Sequence, residues 1–528
     1  MKTINKYIVT GIIGVAALAS CNKSFLDHPS ENNPTLDTYY NTADQVLKAT
    51  GYLYNSVWYD YQDKAFHAIG ETLAGNMLTE TGVNYGSGSY NLFTVLSTDP
   101  LVGSCWQSLY KVAGTATVLI NTFEQKKGKA TQSGYLDQGI AEARFMRGAA
   151  YFTIARTFGD VPIVTDPVAL AGSGNYNVPR YVQKDVLQFA LEDFRFAEAN
   201  LPAVPAEKGR VCKYSAAGMM AKLYLYRKDY DSAKLAAQRV MSSGNYDLYP
   251  DYAKMFTSSA ANNNIESLFA LQWIASGGYG YANPIQVYSA PSTLLKPVVG
   301  TGYSSVYPTL DLLKAYDAND NRRKWSVMEH GFKRTDWTNI NFPGGFVYDT
   351  TGANYEDATH FRNGTRSNAL KYVVGTGSNG ENLSSSGSSD ICTYILRYAD
   401  VLLIYAEAVL GNSASTTDGS ALAAFNKVHN RNGNFNGVAV TMLTKDIILH
   451  ERRVEFAFEG DSWFDIQRQG FAKAQSIINA QERGTLNSDG TINHAAANFN
   501  SASQLFLPIP QSETVSDPKL NEPAVSYY

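Results

Sequence analysis

SAAGMMAKLYLYRKDYDSAKLAAQRVMSSG, residues 215–244, holds two apolar-periodic runs on either side of the charged break Arg227, Lys228 and Asp229. Met220, Ala221 and Tyr224 return at helical spacing in the first run, and Ala233 and Val240 do so in the second. Gly244 then supplies the stop that helices take just past a C-terminus. Two helices joined by so short a break run antiparallel. Small side chains let their axes approach, and the larger ones fill the gap between them. A hairpin of this kind cannot bury its apolar face alone, so it needs neighbours built the same way.

Those neighbours are legible on both sides. The run from Ala141 to Phe158 repeats the first-helix pattern, with Gly148 and Tyr151 three apart, and stops before Gly159 and Pro162. Its partner is expected from Val182 to Asn200, where Val186, Phe189, Ala190, Phe194 and Ala197 form one stripe. A third pair runs from Ile395 to Leu410, with Leu402, Tyr405, Ala406 and Val409, and returns through Ala421, Leu422, Phe425 and Val428. Further helices are expected near Ala43 to Asn55 and Trp106 to Phe123. The spacing is that of tetratricopeptide repeats. The fold expected is therefore mostly α, a helical repeat scaffold broken by insertions.

Two regions lose the helical period. Residues 245–390 are rich in Gly, Asn and aromatics, with residues 384–389 a serine-rich loop, and residues 79–90 form a shorter irregular stretch. The division expected is 1–20, 21–244, 245–390 and 391–528. Long loops on a rigid frame are where binding residues concentrate.

The chain has 528 residues and a net charge of −4, with 17% charged residues, so it carries no basic field for nucleic acid or anionic lipid. Its 35 Tyr against 24 Phe exceed what core filling asks for, because a buried phenol needs a hydrogen-bond partner. Accessible tyrosines suit ligands with both apolar and hydroxylated faces, and sugars are such ligands. Cys105, Cys212 and Cys392 lie far apart with no C-x-x-C pair, so buried free thiols, or one incidental bridge, are expected in place of a zinc site.

At the N-terminus, Lys2 and Lys6 precede an apolar run from Tyr7 to Leu18, too short for the roughly 20 residues of a membrane span. Leu18, Ala19, Ser20 and Cys21 follow, and they resemble the lipobox of bacterial lipoprotein signals, which implies acylation of Cys21 and a mature protein tethered to a membrane by that end.

Gly375, Gly377 and Gly380 have dinucleotide-loop spacing, but no hydrophobic helix follows to hold a phosphate. Asp317, Asn319 and Asn321 begin like a calcium loop, yet Arg322 and Met328 stand where Gly and Glu are required. No cofactor and no metal are expected. Glu451, Glu455 and Glu459 fall on one face of a helix capped by Thr444 and could act as glycosidase carboxylates. Arg452 and Arg453 beside them favour ion pairing.

Five ordered segments carry a more specific signal: EARFMRGAAYFTIARTFGDVPIV from Glu142, the hairpin from Ser215, YILRYADVLLIYAEAV from Tyr394, ERRVEFAFEGDSWFDIQRQG from Glu451 and LFLPIPQSE from Leu505. Together with the lipobox they resemble the SusD/RagB family of surface glycan-binding lipoproteins of Bacteroidetes; Ser462 and Gln467 depart from the usual pattern. The resemblance implies about four tetratricopeptide-like helix pairs packed against an irregular ligand-holding region, an outer-membrane location, no catalytic residues, and a role as lid of a SusC-type TonB-dependent transporter that takes up oligosaccharides. Members resembling the RagB branch handle peptides, which leaves a peptide-capturing lid as the alternative. A surface glycoside hydrolase using Glu451, Glu455 or Glu459 is the enzyme alternative.

The family's ligand contacts vary, so site residues are chosen on physical grounds as exposed-loop aromatics with polar neighbours. They are Tyr85, Tyr90, Trp273, Tyr279, Tyr281, Tyr303 and Trp337, with Asn84, Asn283, Arg334 and Asp336. Rings stacked on sugar C–H faces remove apolar surface at about 25 cal/mol per Å², and the polar groups discriminate among hydroxyls.

Overall fold

The computed structural model describes residues 39–79, 88–128, 133–205, 207–351 and 363–528. The helices that build the frame are α1 (Ala43–Gly51), α2 (Pro100–Lys127), α3 (Gly134–Phe158), α4 (Gln183–Asn200), α5 (Lys213–Tyr226), α6 (Tyr230–Met241), α7 (Tyr398–Leu410), α8 (Gly419–His429) and α9 (Lys445–Phe456). From α2 to α8 each packs on the next, so the helical stack passes directly from α6 to α7 although some 150 residues of chain separate them. This is the tetratricopeptide-like scaffold that the hairpin spacing predicts, and the three helix pairs read from sequence are all present.

Local chemistry sets the helix ends. Asp99 caps α2, accepting from the Leu101 amide, with Pro100 in the first turn. Asp229 caps α6 by accepting from the Ser232 amide, and the α5–α6 turn closes through Lys228 at φ +61°. Gly148 is required where α3 meets α4, since a Cβ there would lie 3.0 Å from the Ala190 carbonyl oxygen. The same contact is clamped by Arg147, whose guanidinium donates to both Asp193 oxygens at 2.7 and 2.8 Å.

Strands are few and short among the described residues: β1 (Met77–Thr79) pairs antiparallel with β3 (Val306–Pro308), and β2 (Ser267–Leu271) with β4 (Thr393–Arg397). The expected helix from Ile395 begins instead at Tyr398, because Thr393–Arg397 is paired along β2. The chain after α1 also differs from expectation: it tightens into 3₁₀ turns at Tyr52–Tyr54 and Ser56–Trp58, then widens into π turns at Tyr61–Ala65 and Ala68–Thr72.

One main core runs through the helices, and a second, small one lies under the irregular region, built from Leu294, Leu295, Met328, Trp337, Phe346 and Tyr348 with their neighbours. The two regions are also joined by buried charge. Arg397 pairs with Glu266, Glu455 and Glu459; Arg431 with Glu266 and Glu455; Arg322 with Asp320, Glu451 and Glu455; and Lys371 with Glu459. Cys105, Cys212 and Cys392 are buried free thiols. Among the described residues no helix is long and apolar enough to cross a membrane.

Candidate ligand-binding platform

The π turn at Tyr61–Ala65 places Asp63 and Lys64 on the surface side while Tyr61 and Ala65 face the core. Single π turns of this kind are frequent at functional sites. Tyr59, one turn earlier, is buried with its ring edge-to-face against Tyr279 at 4.9 Å. Tyr279 itself is 76% exposed and sits at the tip of a glycine-rich loop. That loop is held shut by the Tyr281 amide donating to the Gly278 carbonyl and the Ile274 amide to the Tyr281 carbonyl, at 3.2 and 2.9 Å. Gly277 is needed there, because a Cβ would stand 2.6 Å from that of Tyr281.

Tyr303 approaches from the other side. It follows the helix Ser292–Val299 after Gly300 at φ +73°, and its amide donates to the Val287 carbonyl at 2.8 Å. Its ring stacks on Tyr288, 5.7 Å between centroids and 20° from parallel. The Tyr288 hydroxyl donates to Asp63 Oδ1 at 2.9 Å, while Lys64 Nζ lies 3.7 Å from Asp63 Oδ2 and 5.5 Å from the Tyr288 ring centroid. The buried rings of Tyr59 and Tyr288 thus support two exposed ones, Tyr279 and Tyr303 (41% exposed), beside the Asp63–Lys64 pair, while Tyr281 (47% exposed) closes the loop that carries Tyr279.

Burial raises the Asp63 pKa above the usual carboxylate range, against the lowering pull of Lys64 and of the Tyr288 hydroxyl. The Tyr59 and Tyr279 phenols are raised too, first by burial and then by the negative charge of Asp63. They remain neutral donors at any physiological pH. The surface therefore offers apolar ring faces, phenolic donors, a carboxylate acceptor and an ammonium donor together.

Of the predicted site residues, Tyr279, Tyr281 and Tyr303 lie in this cluster. Trp273 does not reach the surface: it is buried beneath Tyr59, ring centroids 6.3 Å apart, and its indole donates to Thr393 Oγ1 at 3.0 Å. Asn283 is buried and spends its amide on the Ile391 carbonyl and Thr393, so it braces the start of β4 from the interior. Tyr90 is buried with its hydroxyl on Asp99 at 3.2 Å, bracing the start of α2. Trp337 is the centre of the second core, so close to Gly375 that a Cβ there would overlap the indole. Arg334 lies over the Trp337 ring and binds Asp336 through two hydrogen bonds of 2.8 and 2.7 Å, which lowers the Asp336 pKa. Trp273 and Tyr90 are thus drawn into the main core, Trp337 into the small second one and Asn283 onto buried backbone, because a large ring or an amide that finds a buried partner gains by leaving the surface. Asn84, Tyr85 and Cys21 lie outside the described residues.

Sequence reading missed Tyr59, Asp63, Lys64 and Tyr288. The dense run YLYNSVWYDYQDK at 52–64, aromatic and acidic at once, was the available signal.

The three glutamates considered for catalysis are buried. Helix α9 is capped by Thr444 as expected but ends at Phe456, so Glu459 is not on it; Phe458 at φ +71° turns the chain, and Glu459 still reaches Lys371 and Arg397. Their partners come from other parts of the chain, Arg322, Arg397, Arg431, Lys371 and His429, while Arg452 instead binds Asp400 and Asp465, and Arg453 binds Asp311. Burial opposes ionisation of Glu455, yet Arg431, Arg397 and Arg322 outweigh it and hold the carboxyl ionised far into acid. None of the three can meet a substrate in this structure. Among the described residues no His, Cys, Asp or Glu cluster could hold a metal.

A stacked helical scaffold whose insertion presents supported, exposed tyrosines defines a binding protein built on helical repeats. The comparisons with known proteins give the family. Residues 265–527 match the profile described as SusD family, and residues 24–225 match one described as starch-binding associating with outer membrane. A SusD-like protein of Bacteroides ovatus is 31% identical, over 98% of this chain and 97% of its own. SusD-like protein P2 of Formosa agariphila is 28% identical over 81% of each. A crystal structure described as holding a xylogluco-oligosaccharide superposes with a TM-score of 0.79 at 30% identity, covering 92% of this chain and 99% of the other. The chain belongs to the SusD family.

Proposed function

We propose that this protein is a glycan-binding lipoprotein of the outer membrane that captures oligosaccharide or polysaccharide on the Tyr279–Tyr281–Tyr303 platform and serves as the lid of a SusC-type transporter. The platform carries the reading: three exposed rings, two resting on buried rings and the third in the closed loop that carries Tyr279, are costly to keep in water unless something covers them. The relative crystallised with a xylogluco-oligosaccharide supports the ligand class, and the outer-membrane description of the N-terminal match supports the location. Acylation at Cys21 would supply the tether. Binding without turnover is favoured because the acidic residues of α9 are sealed in ion pairs away from solvent.

Affinity electrophoresis through gels containing a panel of polysaccharides tests this. Retention is expected in one polysaccharide class, with no release of reducing sugar. Changing Tyr279→Ala together with Tyr303→Ala is expected to weaken it by at least tenfold, since each stacked ring contributes about 1 kcal/mol or more. Undiminished retention in the double variant would remove the platform from the account.

A further inference from the structure

The platform has a sign. The charges that act on the exposed Tyr279 phenol and on Tyr59 beneath it are those of Asp63 and Asp60, both negative. The nearby cation is Lys64, held 3.7 Å from Asp63 in a loose ion pair. Asp60 is exposed, and the ion pairs among the described residues assign it no cation. Beside the Tyr59–Tyr279 pair, therefore, two carboxylates stand against one ammonium.

Asp63 is also fixed in place. Its carboxylate is mostly covered, receives the Tyr288 hydroxyl at 2.9 Å and so cannot swing away from an arriving ligand. A fixed carboxylate at the edge of the Tyr288–Tyr303 stack accepts hydrogen bonds from sugar hydroxyls. It repels a uronate or a sulfate ester placed over the same rings.

We propose that Asp63, assisted by Asp60, makes this platform select uncharged glycans over acidic ones, Asp63 being the specificity-determining residue. The inference rests on the platform reading above and adds to it a chemical class of ligand. One ligand charge a few ångströms from Asp63, at a permittivity between that of a protein surface and water, is worth about tenfold in affinity. Because the Debye length is about 8 Å at 0.15 M salt and about 3 Å at 1 M, the discrimination should shrink as salt rises.

The test uses the full-length purified protein and one polymer backbone in two forms. The uncharged polysaccharide that the wild type retains is hydroxyethylated or carboxymethylated to the same degree, so that bulk is matched and only charge differs. Polygalacturonate is added as a natural acidic probe. Affinities are measured at 20 mM and 1 M NaCl for the wild type, Asp63→Asn, Asp60→Asn and Tyr279→Ala/Tyr303→Ala, with a thermal melt of each variant.

The expected result is at least tenfold weaker binding of the carboxymethylated form at low salt, narrowing at 1 M. The same ratio is expected to fall toward one in Asp63→Asn and part of the way in Asp60→Asn. The ratio is the readout, so any loss that Asp63→Asn imposes on both polymers cancels. Loss of binding in the tyrosine variants with a ratio near one, or a preference for polygalacturonate, would overturn the charge selection and leave the platform standing. Binding that survives the tyrosine changes, or retention of no polysaccharide at all, would overturn both.

Discussion

Tyr279 and Trp273 sit six residues apart in one glycine-rich stretch and end on opposite sides of the protein surface. The tryptophan has an indole N–H to satisfy and finds Thr393 Oγ1 inside; the tyrosine is lifted outward on Gly278 and Gly280, both at positive φ, and rests its edge on Tyr59. Nothing in residue type separates the two outcomes, which is why aromatics chosen from sequence divided between the platform and the interior. Both rings meet Tyr59; what separates them is that the indole has a buried acceptor in Thr393, while the Gly278–Gly280 turn carries the phenol outward. Trp337 makes the point measurable. It fills the second core beside Phe346, ring centroids 6.0 Å apart, with Gly375 pressed against the indole. Trp337→Ala is therefore expected to cost about 3–5 kcal/mol in denaturant unfolding of the region that contains it, the range for emptying a buried aromatic site. A loss below about 0.5 kcal/mol would show that Trp337 is a surface residue after all.

Helices were legible where the apolar period was long and uninterrupted. The α5–α6 hairpin, the α3–α4 contact and the α7–α8 pair follow from spacing and capping, because in each the two helices lie close in sequence; the α6–α7 contact, made across some 150 residues, does not. The stretch after α1 was not legible, and the reason is a distant contact. Gly70, within the second π turn, lies so close to Gly460 that a Cβ would stand 2.0 Å from the Gly460 carbonyl oxygen. Gly460 in turn adopts φ +78° with Phe66 packed on it. Sequence shows two glycines; only the fold shows that they touch across 390 residues. Gly70→Ala is expected to destabilise the protein by about 3 kcal/mol, since backbone on one side and a packed helix on the other leave no route for relaxation. Gly114→Ala is the internal contrast: it lies within α2 with open space around it, and alanine there should stabilise by roughly 0.5–1 kcal/mol. Thermal melts of the two variants should move in opposite directions. Equal shifts would mean that Gly70 and Gly460 do not meet.

At the scale of the whole molecule, buried charge joins what the repeats alone would leave separate. Glu407 on α7 accepts from both Arg468 nitrogens at 2.6 and 2.7 Å and from Lys445 at 3.1 Å, bringing the last helical pair against the segment that follows α9. Burial by itself would raise the Glu407 pKa, but Arg468 and Lys445 outweigh it and hold the carboxyl at about 2 in the fold. Its unfolded value is near the ordinary 4.5, so its contribution is complete above pH 4.5 and is lost as pH falls toward 2. The size is on the order of 3 kcal/mol. Glu71 works in the opposite sense. Buried with only neutral donors at hand, it is pushed up to about 7, and its contribution is complete below pH 4.5 and lost as pH rises to 7. Lowered carboxyls outnumber it, since Glu266, Asp400, Glu455 and Asp461 all share the direction of Glu407. Stability measured by urea titration is thus expected to fall steeply from pH 4.5 downward. In Glu407→Gln the acid limb should be shallower, while stability at pH 7 drops by about 3–5 kcal/mol because Arg468 keeps its charge in the interior with one fewer partner. An acid limb as steep as that of the wild type, together with unchanged stability at pH 7, would mean that this ion pair does not hold the helical frame to its C-terminal region.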